Sequence, residues 1–103
     1  MIKLDFNVSF NQVLLCLRDA LVRNVVPSLR AVTLDFSEQE KMFYLYCFFD
    51  QEINGELVEV THDICEYMDN GVYIPCYCNT DTSVYLPYPQ PIPIRGRIIY
   101  LRH

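Results

Sequence analysis

The sequence predicts an α+β fold: two helices packed on one face of a mostly antiparallel sheet of about four strands, in the order α-β-β-α-β-β. Three observations carry that prediction. Residues 10–25 and 52–69 repeat apolar side chains at helical spacing. Residues 28–36 and 41–50, between them, read as strands joined by a short polar turn. The last third combines strand-like runs with prolines that exclude a helix. At 103 residues, 51% hydrophobic and 14% aromatic with three glycines, the chain is expected to form a single globular domain.

The first helix opens at "SFNQ", where Ser9 and Gln12 make a capping box. Phe10, Val13, Leu14, Leu17, Ala20 and Leu21 then fall at i, i+3, i+4 and i+7, while Arg18, Asp19 and Arg23 lie off that stripe. Pro27 ends it. In 28–36, Val32, Leu34 and Phe36 alternate with Ala31, Thr33 and Asp35, the pattern of a half-buried strand. "KMFYLYCFFD" is apolar on both faces and suits a central strand, and the short "SEQEK" turn makes the pair an antiparallel hairpin.

The second helix is expected over 52–69, with Asn54 as N-cap. At about 100° per residue, Glu52, Glu56, Glu59, Asp63 and Glu66 fall in an arc of about 80°. Ile53, Leu57, Val60, Ile64, Tyr67 and Met68 occupy a neighbouring arc of about 100°. A third strand is expected over 70–80, with Pro75 marking an edge or a bulge. Residues 86–94, with prolines at alternate positions, form an extended strap, and 96–102 a closing strand.

Charge is unevenly spread. Residues 35–69 hold ten acids against one base, Lys41, whereas the remainder holds three acids against seven bases, for a net −5. An acidic centre argues against nucleic acid as the partner, because phosphate binding needs a basic footprint. Nothing approaches the ~20 apolar residues of a membrane span. The opening residues also lack the pattern of a secretory leader. Five cysteines (Cys16, Cys47, Cys65, Cys76 and Cys78) fit no disulfide framework and place the chain in a cytoplasm.

Metal and catalytic readings of the acidic segment are poorly supported. Calcium loops place acids at alternate positions around a turn glycine, not at helical spacing. Glu59-Val60-Thr61-His62 is a single Glu-x-x-His without a partner helix. Cys76-Tyr77-Cys78 has neither zinc-type spacing nor two further ligands. His62 and Cys65 could touch as base and thiol, but no oxyanion or pocket signal accompanies them. The three glycines are isolated, so no phosphate loop exists. No cofactor, metal or catalytic residue is expected.

Stacked acids at i, i+3 and i+4 destabilise a helix by roughly 0.2–0.5 kcal/mol per like-charge neighbour. A helix needing only solubility would intersperse Lys. Either the stripe is a solvated face, partly compensated by bases elsewhere, or it meets a basic partner. Tyr73, Tyr77, Tyr85 and Tyr88, of a residue type enriched in binding hot spots, cluster in the last third.

Further motifs span nearly the whole chain. They are Val25, Pro27, Leu29, Arg30, Ala31 and Val32; Phe49 and Asp50; Glu56 and Glu59; then Tyr88, Pro89, Pro91, Ile92, Pro93, Gly96, Tyr100, Leu101 and Arg102. In these the chain resembles small bacterial immunity proteins of toxin systems, including contact-dependent growth inhibition. Gly55, His62 and the cysteine-rich third strand depart from that pattern. The resemblance implies a cytoplasmic protein, with no enzymatic activity, that binds a cognate toxin domain, expected to be a basic nuclease such as an RNase. Glu52, Glu56, Glu59, Asp63 and Glu66 are then the expected charged contacts, with Asp69 and Tyr73 beside them. A monomer is favoured; the alternative is a cytoplasmic adaptor or housekeeping protein acting as a homodimer.

Overall fold

The computed structural model describes residues 10–72, 75–93 and 96–102. Ser9 of the capping box, Tyr73, Ile94 and His103 lie outside these residues. Among the described residues the architecture is α+β, with two α-helices and a mixed sheet of five strands.

Helix α1 (Phe10–Asn24) buries Val13, Leu17, Ala20 and Leu21, the core of the expected stripe. Asn24 Nδ2 donates to Ala20 O at 2.8 Å, and Val25 N to Leu21 O at 3.0 Å, before Pro27 stops the helix. Strands β1 (Leu29–Ser37) and β2 (Met42–Phe49) form the expected antiparallel hairpin. Lys41 closes its turn in the left-handed region (φ 57°), and Ser37 Oγ accepts the N–H of Glu40 at 3.1 Å.

Pairing puts Val32 opposite Cys47, Leu34 opposite Leu45 and Phe36 opposite Phe43. All six are buried in one cluster with the apolar stripes of both helices, so the helices cover one face of the sheet. A bulge inserts Arg30 between Leu29 and Ala31.

Helix α2 runs Gly55–Val72, three residues beyond the expected end, so the third strand expected over 70–80 is corrected. "NG" at 70–71 reads as a turn signal, but Gly71 instead lets the helices touch. A Cβ placed there would stand 2.2 Å from Cys16 Sγ. Among the described residues of that stretch Cys76–Tyr77 pair, as β3, and a 3₁₀ turn (Thr80–Thr82) leads to a further short strand, β4 (Ser83–Tyr85).

Both β3 and β4 run parallel to β2, Phe43 facing Cys76 and Cys47 facing Ser83. The sheet, expected to be mostly antiparallel with about four strands, is therefore mixed and has five among the described residues. The reason is the crossover: α2 carries the chain back along β2, so the strands after it restart in the same direction. β5 (Arg97–Leu101) pairs antiparallel with β1 and makes the far edge of the order β3-β2-β1-β5, with β4 beside β3 on β2. β2 is central, as its apolar character predicts.

β5 is preceded by Gly96 at φ 64°, where a Cβ would meet Leu34 O at 2.5 Å. Arg102 ties off the end: its N–H donates to Arg30 O at 2.8 Å, and its guanidinium reaches Pro27 O and the Asp50 carboxylate, each at 2.5 Å. The proline strap is held by Leu86, whose N–H donates to Phe49 O at 2.7 Å and whose carbonyl accepts from Arg30 at 2.8 Å.

Candidate partner-binding face

The rotation of α2 about its axis is set by what it buries. Leu57, Thr61, Ile64, Cys65 and Met68 face the core. Thr61 Oγ1 donates to Leu57 O at 3.3 Å and accepts the Ser83 hydroxyl at 2.7 Å, so the polar side chains between α2 and β4 are satisfied. Asn54 caps the helix, its Oδ1 accepting the Leu57 N–H at 3.0 Å. Glu56 then occupies the first turn, where negative charge suits the helix dipole.

That rotation leaves Glu56, Glu59, Asp63 and Glu66 exposed along one row, with Asp69 exposed beside it. Glu52 is exposed in the loop ahead of the helix, and Tyr73 lies outside the described residues. Among the described residues none of these acids has an ion-pair partner. Arg23 of α1 reaches α2 over the Tyr67 ring, 5.9 Å from its centroid, rather than over a carboxylate. The repulsion within the row is therefore not relieved by an ion pair among the described residues. Of the tyrosines, Tyr77 is half-buried against Tyr44 (ring centroids 5.1 Å), while Tyr85 and Tyr88 are exposed.

Beside the row, His62, Cys65, Glu66, Asp69, Cys76 and Cys78 line a shallow pocket of about 220 Å³. Cys65 uses its S–H on Cys76 O at 2.9 Å. A side-chain hydrogen bond with Cys76, reinforced by burial, holds the Cys65 thiol far above the ordinary range. Hydrogen bonding to Cys65 and burial do the same for Cys78. Both shifts favour the protonated thiol at neutral pH over the thiolate that a nucleophile uses. Among the described residues no group of three or more His, Cys, Asp or Glu is placed to hold a metal. No helix there is long and apolar enough to cross a membrane.

A family model for the MafI2 immunity protein matches residues 10–103. The chain belongs to the MafI2 immunity protein family. No curated protein matches it. Membership makes the chain a toxin-immunity protein with a cognate toxin as partner, in a family that is generally non-enzymatic. Contact-dependent growth inhibition, expected from the sequence resemblance, is not shown by this membership, the Maf family being a different toxin system.

Proposed function

We propose that this chain neutralises its toxin in the cytoplasm, as a monomeric single domain, by laying the acid row of α2 against a basic, nuclease-like surface. The supporting observation is the row itself: four carboxylates on one exposed face, aligned by the buried stripe behind them and without an ion pair among the described residues. A nuclease that grips phosphate is positively charged around its active site, and an acidic face can occupy that ground. Complementary charge speeds encounter and selects the partner. Glu52 and Asp69 flank the row, and Tyr73 follows α2 in the chain; these complete the proposed contact set.

The test is charge reversal. Glu59→Lys with Asp63→Lys is expected to weaken binding of the cognate toxin by about a hundredfold or more in calorimetry, since each buried interfacial pair lost costs about 2–5 kcal/mol. Circular dichroism and melting temperature should stay close to the parent's, because both side chains are exposed. An unchanged dissociation constant would remove the row from the interface.

A further inference from the structure

Arg30 is 8% exposed, yet among the described residues no carboxylate pairs with it. Its hydrogen bond goes to a neutral acceptor, Leu86 O, and its guanidinium lies 5.4 Å from the centroid of the Tyr88 ring. A guanidinium carries five N–H donors, so most of its capacity is unused. The Arg30 stem is buried while the unbonded nitrogens keep some contact with solvent, since among the described residues only Thr33 Oγ1 is a buried polar side-chain atom without a partner; those N–H groups are open to a ligand.

Arg102 is different: its charge is matched by Asp50 and its second nitrogen by Pro27 O. The two arginines, Tyr88 and Leu101 together line a pocket of about 310 Å³. With the Arg102–Asp50 pair neutral, the described residues that line the pocket leave one positive charge without an ion-pair partner among them, that of Arg30. The bulge between Leu29 and Ala31 is the backbone feature that sets Arg30 out of the strand's regular alternation.

We propose that this pocket binds a carboxylate. A planar monoanion matches the fork of one guanidinium with two parallel N–H···O bonds, and it balances the pocket's charge. A dianionic phosphate would leave negative charge in excess beside Asp50. The ring of Tyr88, 75% exposed, and the side chain of Leu101 form the apolar walls. The carboxylate is supplied either by an Asp or Glu side chain of a protein partner or by a small carboxylic acid. The pocket shares no residue with the acid row of α2, so the two proposals fail separately.

The experiment is a titration of ¹⁵N-labelled protein with sodium acetate, reading the side-chain Nε–H resonance of Arg30, with sodium chloride at equal ionic strength as blank. The expected result is a saturable shift with a dissociation constant on the order of 10 mM, as for a few-atom ligand. Chloride should not produce it, and Tyr88→Ala, a change at an exposed ring, should weaken it severalfold without loss of fold. A non-saturating drift common to acetate and chloride overturns the proposal, and so does tighter binding of inorganic phosphate than of acetate. Adding the cognate toxin separates the sources. A resonance already at its acetate-saturated position and no longer responsive identifies a carboxylate of the partner protein; one that still titrates identifies a small acid.

Discussion

Lys41 holds a left-handed backbone conformation at the tip of the β1–β2 hairpin, at φ 57°. For a residue with a Cβ that region costs roughly 1–2 kcal/mol. Glycine avoids the penalty but loses more conformational entropy on folding, a difference of about 0.5–1 kcal/mol. Lys41→Gly is therefore expected to stabilise the protein by up to about 1 kcal/mol, measured as a higher midpoint in urea with an unchanged slope. A lower midpoint would show that the lysine side chain contributes more than its backbone strain costs. At this scale the sequence is hard to read. "SEQEK" signals a turn by composition, but nothing in the residue type says that Lys41 takes the strained position. Arg30 is similar, since in an alternating strand it looks like any other residue until the bulge is known.

Helices α1 and α2 meet where Gly71 leaves no room for a side chain. The nearest atom to an added Cβ is Cys16 Sγ at 2.2 Å, and that sulfur also lies 3.5 Å from Tyr67 O. Gly71→Ala should therefore force the helices apart, costing about 1–3 kcal/mol in denaturant unfolding. Combining it with Cys16→Ala should recover most of the loss, a non-additivity expected of two side chains in contact. If the single variant is as stable as the parent, the close approach is not there.

The sequence shows α2 well because its acids and its apolar residues sort onto separate arcs, and burial of Leu57, Ile64 and Met68 follows that sorting. It shows β3 and β4 poorly. Asn70 and Gly71 resemble a turn, and "TDTS" hides Thr82 and Ser83, which are buried only because Asn79 and Thr61 satisfy their hydroxyls. One signal of the parallel pairing was available: a helix between two strands is the usual crossover of a parallel unit.

Across the whole molecule, Cys47 sits at the centre of the core, and burial pushes its thiol up to about 12 from an ordinary 9.0. The sign follows from proton binding. Between those two values the folded protein keeps a proton that the unfolded chain has lost, so stability is fully present below pH 9 and falls as pH rises toward 12. The expected slope is about 1.4 kcal/mol per pH unit from this thiol, and Cys47→Val should flatten the decline seen in urea melts across pH 9–11. An equal slope in both proteins would assign the alkaline loss to other groups. All five cysteines are free, in agreement with their odd number and spacing. The acid row was visible from the sequence because it depends on one helix. The Arg30 pocket was not, since it needs β1, the strap and the end of β5 with the residue after it brought together in space.

The central position of β2 also bears on how the chain assembles. Its pairing with β1 closes across a turn of a few residues, as in Ser37 opposite Met42, whereas Phe43 opposite Cys76 must wait for all of α2 to be threaded between. Loop-closure entropy and high contact order make the second step the slower one. Until it occurs, one flank of the most aromatic strand in the protein is bare, with its backbone donors and acceptors open to any other strand. The same topology that centres the sheet on β2 gives the half-assembled chain its most adhesive edge.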